Sequence, residues 1–136
     1  MEQESELIKM AINYHLHEKG DRPWGSWEVI SLGEKYIVKK IAVNPNASLS
    51  LQLHHHRGEH WIITSGNPTV TVGEETMELL PGKSVDIPKE TKHRIENKTN
   101  YPVEFIEIQM GDILDENDIV RFVDQYDRIS KNNQGR

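Results

Sequence analysis

Residues 45–66 read PNASLSLQLHHHRGEHWIITSG. Leu49, Leu51 and Leu53 alternate with Ser50, Gln52 and His54, the period of a strand with one apolar and one polar face. Gln52 and His54 therefore point the same way. Arg57 and Gly58 form a short turn, and a second strand over residues 60–64 brings Glu59 back beside them before Gly66 ends it. Three consecutive histidines, a fourth at His60, and Gln52 and Glu59 crowd into this stretch. Imidazole, carboxylate and amide oxygen are borderline-to-hard ligands that suit zinc, cobalt, iron, manganese or nickel. The stretch reads as half of a metal site, with a solvated patch of surface histidines as the alternative.

The 136 residues suffice for one domain with a core of its own. With 16 Lys and Arg against 22 Asp and Glu, the formal charge is -6. No basic stripe with interleaved aromatics is present, which argues against nucleic acid as a partner. The chain has no cysteine, so disulfides and thiolate metal sites are excluded and any metal must be held by nitrogen and oxygen. No apolar run approaches the length of a membrane span and the N-terminus has no signal-peptide pattern. A cytoplasmic protein without a membrane partner is expected.

Outward from the central stretch, β patterning continues in both directions. Strands are expected at 27–31, 35–43, 48–54, 60–64, 69–72, 76–80, 84–87, 93–97 and 103–110, punctuated by Gly, Pro and Asn signals. Many short strands with close turns and no helical pattern between them predict an antiparallel sandwich or barrel, with a jelly roll among the standard closures. Upstream, residues 4–18 place Leu7, Ile8, Ala11, Tyr14 and Leu16 at near-helical spacing, and Gly20 supplies a stop, so an amphipathic helix is expected there. His15 and His17 on it face different sides and read as solvated. Residues 21–26, DRPWGS, form a turn that sets Arg22 beside Trp24, whose indole covers a barrel end or serves a site. Downstream, the acidic run 112–118, DILDEND, caps a short helical turn. The organisation expected is an N-terminal helix over 1–20, one β domain over 21–128 and a flexible tail over 129–136.

Two charged residues on strand faces that also carry apolar residues stand out. Lys39 shares a strand face with Ile37, Ile41 and Val43, so it either runs out to the rim or meets a carboxylate, phosphate or substrate. Glu107 shares a face with Val103, Phe105 and Gln109, and either faces the site or makes an outward salt bridge.

Residues 82–97, GKSVDIPKETKHRIEN, complete a resemblance. The first motif of the cupin superfamily runs glycine, five residues, H-x-H, three or four residues, glutamate, six residues, glycine. Asn46, Gln52, His54, Glu59 and Gly66 stand at those positions, Asn46 replacing the glycine and Gln52 the first histidine. The second motif runs glycine, five residues, P-x-G, two residues, histidine, three residues, asparagine. Gly82, Pro88, His93 and Asn97 match it, with Glu90 in place of the second glycine. The resemblance implies a double-stranded β-helix jelly roll binding one divalent metal through Gln52, His54, Glu59 and His93. Zinc stands first among the ions, with cobalt, manganese, nickel and iron as alternatives.

The Q-x-H variant followed by HHR-x-EHW, with RPWGSWE before and DIVRFVDQYDR after, resembles the type II mannose-6-phosphate isomerase domain, usually the C-terminal part of a longer mannose-1-phosphate guanylyltransferase/isomerase. Asn46, Gly58, Glu90 and Asp127 depart from that pattern and bear on loop geometry. The likeness implies interconversion of mannose 6-phosphate and fructose 6-phosphate, in a cupin that often dimerises. No glycine-rich phosphate loop is present, so a standalone isomerase domain without guanylyltransferase activity is expected.

A proton must then move between C1 and C2. Lys39, Glu107 and His56 are the candidate bases. Arg57, between two implied ligands, is the candidate catalytic contact for phosphate or enediolate charge. Arg22, Arg94 and His56 are candidate substrate contacts, and His55, His60 and Trp61 are expected to pack or hydrogen-bond around the site. A cupin acting on another small molecule and a non-catalytic sugar-binding module are the alternative functions.

Overall fold

The computed structural model describes residues 14–123. It contains twelve strands: β1 Lys19–Arg22, β2 Gly25–Leu32, β3 Tyr36–Val43, β4 Ala47–Ser48, β5 Leu51–Leu53, β6 Arg57–Ser65, β7 Thr69–Val72, β8 Glu75–Glu78, β9 Ser84–Ile87, β10 His93–Asn97, β11 Val103–Gly111 and β12 Val120–Val123. They form two antiparallel sheets, ordered β1-β2-β3-β11-β6-β9 and β12-β5-β10-β7-β8, with β4 pairing β10 beside the second. This is the jelly-roll arrangement expected from the pattern of short strands. No helix long and apolar enough to cross a membrane occurs among the described residues.

Alternation decides which side of each strand faces in. On β11, Val103, Phe105, Glu107 and Gln109 are buried while Met110 is exposed. On β3, Ile37, Lys39, Ile41 and Val43 are buried together. The β11–β3 register pairs Val103 with Val43, Phe105 with Ile41, Glu107 with Lys39 and Gln109 with Ile37. On the other flank, β6 sets Ile63 against Phe105, Trp61 against Glu107 and Glu59 against Gln109. The barrel therefore changes character along its axis. One end is an apolar core in which Trp61 and Phe105 stack at a centroid distance of 5.1 Å. The other end collects the charged side chains.

The turns explain how two motif glycines are dispensed with. Gly66 has φ 88°, and a Cβ there would lie 2.8 Å from the Pro102 carbonyl oxygen. That position requires glycine. Asn46 and Glu90 stand where the cupin pattern has glycine and still adopt the left-handed conformation, at φ 56° and 59°. Asparagine tolerates it, whereas glutamate carries a steric cost. Asn97 closes the loop between β10 and β11: its Nδ2 donates to the carbonyls of Val43, Asn44 and Tyr101, and its Oδ1 accepts from the Thr99 amide and hydroxyl.

Several expectations need correction. The helix expected over 4–18 falls mostly on residues 1–13, outside the described ones, and its last turn is no helix. Leu16 and His17 form a turn, with His17 at φ 66°, and β1 begins at Lys19 inside the segment assigned to the helix. The strand expected over 48–54 is interrupted, giving β4 and β5. The run 112–118 is not helical either, and at its end the Asp118 carboxylate reaches the β5–β6 turn, accepting the His55 and His56 amides. The expected tail, 129–136, lies outside the described residues.

Candidate metal centre

The central stretch turns its polar face inward. Ser50, Gln52 and His54 are buried, while Leu49, Leu51 and Leu53 are half-buried. Gln52 lies opposite His93 in the β5–β10 register, and β6 carries Glu59 into the same space. One ligand atom each from His54, Glu59 and His93 lies within 4.8 Å of the others, and all three residues are buried. The separations are 3.1 Å from His54 Nε2 to Glu59 Oε2 and 3.8 Å from His93 Nε2 to Glu59 Oε1.

Hydrogen bonds on the far side of each ring fix what these nitrogens offer. His54 Nδ1 lies 2.6 Å from the Asp118 carbonyl oxygen, and His93 Nδ1 lies 2.8 Å from the Thr91 carbonyl oxygen. Carbonyls only accept, so both Nδ1 atoms carry hydrogen and both Nε2 lone pairs are left for the site. His93 Nε2 is buried without a hydrogen-bond partner among the described residues. Burial also pushes the His93 pKa down, against the pull of the Glu59 charge, which keeps the ring neutral.

Burial alone would raise the Glu59 pKa, but the charge of Arg57, which also hydrogen-bonds it, outweighs burial and holds the carboxyl well below the usual range. Trp61 Nε1 donates to Glu59 Oε1 at 2.9 Å, as expected of a residue bonding around the site. Two imidazole lone pairs and an ionised carboxylate form a donor set that fits a divalent ion, and Gln52 lines the adjoining cavity.

Arg57 is buried inside this group. Its Nε donates to Glu59 Oε2 at 2.9 Å, Nη2 to His54 Nε2 at 3.2 Å and Nη1 to the Asp115 carbonyl at 3.2 Å. His54 Nε2 has one lone pair, so the guanidinium and a metal ion claim the same atom. An ion held there requires Nη2 to leave it.

Next to the cluster lies a cavity of about 260 Å³, lined in part by Gln52, His54, Arg57 and Glu59. Lys39 and Glu107 also line it, which settles both open readings of the sequence: neither side chain reaches the rim or turns outward. Lys39 is only 6% exposed, with Nζ 4.0 Å from the Tyr14 ring centroid and 4.6 Å from that of Trp27. Burial lowers its pKa, opposed by Glu107. Burial raises the Glu107 pKa to about 8, helped by the Glu59 charge and opposed by Lys39 and Arg57. Gln109 Nε2 donates to Glu107 Oε1 at 2.7 Å. Trp24 is buried in the cavity wall, and Arg22 also lines the cavity, paired at 2.7 Å with Glu116.

Two candidates fall outside. His56 is exposed in the β5–β6 turn, because β5 ends at Leu53 and the parity with His54 is lost. Arg94 lies on the opposite face of β10 from His93 and pairs with Glu96 at 3.4 Å. His55 is half-exposed near Glu90, and His60 turns outward to Asp86.

Three contributors escaped sequence reasoning. Tyr14 was read as part of a helix face, and Gln109 only as a neighbour of Glu107. Asp118 was read as part of an acidic run, yet its carboxylate accepts the His55 and His56 amides, both at 2.9 Å, while its carbonyl orients His54.

Fold and cluster together define a cupin with a site able to hold a metal ion. Matching solved structures include the cupin-superfamily sugar phosphate isomerase of Silicibacter pomeroyi, at TM-score 0.61 and 18% identity over 71% of this chain and 75% of that one. Another is the oxalate decarboxylase of Lactobacillus farciminis, at TM-score 0.66 and 17% identity over 77% and 33%. At such identities the likeness is one of fold.

The family described as mannose-6-phosphate isomerase C-terminal matches residues 9–124, and the chain belongs to it. Xanthan biosynthesis protein XanB of Xanthomonas campestris pv. campestris is 50% identical over 112 residues, covering 82% of this chain and 24% of that protein. Mannose-1-phosphate guanylyltransferase ManC of Salmonella typhimurium is 42% identical over 116 residues, covering 85% and 24%. The chain spans about a quarter of the length of these curated relatives.

Proposed function

We propose that this chain is a metal-dependent aldose–ketose isomerase interconverting mannose 6-phosphate and fructose 6-phosphate. The observation that carries the reading is one cavity joining the cluster of His54, Glu59 and His93 to Glu107, a buried carboxyl whose pKa is raised by its burial. Membership of the mannose-6-phosphate isomerase C-terminal family supports the choice of sugar. Gln52, His54, Glu59 and His93 would hold a divalent ion, zinc first, which when bound would supply Lewis acidity towards the oxygens at C1 and C2.

The chain's own residues then have separate tasks. Glu107 carries the proton between C2 and C1, since a group with pKa near the working pH both takes and returns a proton readily. Lys39, its cross-strand partner, sets the charge around it and is the second candidate base. Arg57 lies deep beside the ligands, a position suited to charge developing on the sugar oxygens. Arg22 suits the phosphate, because its guanidinium is pairable with an anion at the cavity wall. The working form is expected to be a homodimer, measurable by sedimentation.

The test is a coupled assay for fructose 6-phosphate formed from mannose 6-phosphate, using chelated protein resupplied singly with zinc, cobalt, manganese, nickel or iron. Turnover restored by metal is the expected result. Absence of turnover with every ion, while metal still binds, would replace this reading with a non-catalytic sugar-binding module or another cupin substrate.

A further inference from the structure

In the cavity wall, the buried Tyr14 hydroxyl and Gln109 Oε1 have no hydrogen-bond partner among the described residues. Tyr14 is 5% exposed and Gln109 1%. An unpaired buried polar group destabilises the fold, and native proteins retain few of them. One of these atoms donates and the other accepts, so together they outline the complement of hydroxyl groups.

Neither atom is needed to hold its own side chain. The Tyr14 ring is fixed edge-on against Trp27, at 5.9 Å and 86°, with the Lys39 ammonium over its face. Gln109 is anchored through Nε2 to Glu107, which leaves Oε1 for another partner. Their places in the barrel differ as well. Gln109 is level with Glu59 in the β11–β6 register, beside the metal cluster, whereas Tyr14 stands over Lys39 of β3. A polyhydroxy ligand reaching from the cluster past Glu107 and Lys39 passes both.

We infer that Tyr14 and Gln109 are substrate-binding residues that read the hydroxyl groups of an open-chain sugar, Tyr14 donating and Gln109 accepting. This rests on the isomerase reading for the class of ligand. The hydroxyl of Tyr14 stays protonated because burial drives its pKa upward, so it is available as a donor.

The experiment compares zinc-loaded wild type, Tyr14→Phe and Gln109→Met by thermal unfolding without ligand and by calorimetric titration with mannose 6-phosphate. Tyr14→Phe deletes one unpaired oxygen and keeps the ring, so its Tm is expected to equal or exceed that of wild type. Its affinity for mannose 6-phosphate is expected to fall about 3- to 10-fold, the loss of one hydrogen bond. Gln109→Met is expected to weaken binding by a similar factor.

A lowered Tm in Tyr14→Phe would mean that the hydroxyl has a partner inside the protein and would overturn the assignment. So would unchanged affinity in either variant when wild type binds. If wild type itself fails to bind mannose 6-phosphate, the isomerase reading falls and this assignment with it.

Discussion

Replacing Glu107 with glutamine tests the electrostatics of the cavity directly. The side chain keeps its size and its acceptor for Gln109 Nε2 but loses the ability to ionise. Burial raises the Glu107 pKa from 4.5 to about 8 in the folded protein. Within that window the folded protein holds a proton that the unfolded chain has released. Stability is therefore complete below the lower value, falls as pH rises, and levels off above the upper one. One pKa unit corresponds to about 1.4 kcal/mol, so between about pH 5 and about pH 8 the loss is bounded near 4 kcal/mol. With relaxation around Lys39, about 2–4 kcal/mol is expected.

The assay is urea unfolding of chelated wild type and Glu107→Gln across that range, since a bound ion would add its own charge to the site. The variant is expected to gain on wild type by that amount as pH rises. Lys39 drifts the opposite way, and more so in the variant, where the Glu107 charge no longer opposes the lowering of its pKa. Parallel profiles would refute the burial argument. In metal-loaded protein the same variant, though more stable, is expected to lose about 10²- to 10⁴-fold in turnover as the proton carrier is removed.

Asp118→Ala removes the acceptor of two backbone amides and loosens the segment that orients His54, so metal affinity is expected to fall about 10- to 100-fold in a chelator competition. Unchanged affinity would show that His54 is positioned without it. The Asp118 pKa is raised by burial but lowered more by the two amide hydrogen bonds, so its contribution is present at neutral pH and lost on acidification. Glu90→Gly relieves a left-handed glutamate and is expected to add about 0.5–1 kcal/mol in urea unfolding, a gain that a strained backbone alone explains. Arg57→Ala frees the His54 lone pair and is expected to retain metal in equilibrium dialysis while turnover falls about 10²- to 10³-fold. Undiminished turnover would remove Arg57 from the mechanism.

Eight of the nine strands expected from the sequence were legible as single strands because alternation and Gly, Pro or Asn turns coincide along them, whereas 48–54 breaks into β4 and β5. The strand β1 was not, since KGDR carries no apolar residue and is held by main-chain pairing with β2. The side chains of His54, Glu59 and His93 converge, and Gln52, on the same face as His54 by parity, lies opposite His93 in the β5–β10 register. The faces of Lys39 and Glu107 were also legible, but not that both would stay inside. That outcome depends on the cross-strand pairing and on aromatic rings from distant parts of the chain. Tyr14 misled because its spacing from Leu7 and Ala11 is helical, while its position follows from contacts with Trp27 and Lys39. Asp118 lies 64 residues from His54, and no local pattern announces such a partnership.

That separation has a consequence for the order in which the protein is made. At roughly 5–20 residues per second, on the order of 3–13 s pass between synthesis of His54 and of Asp118, 64 residues later. During that interval the emerging chain displays its histidines with no carbonyl to orient His54 and no carboxylate to gather the turn. A cluster with His54 held in place, able to take a metal ion, is thus complete only once the chain includes Asp118.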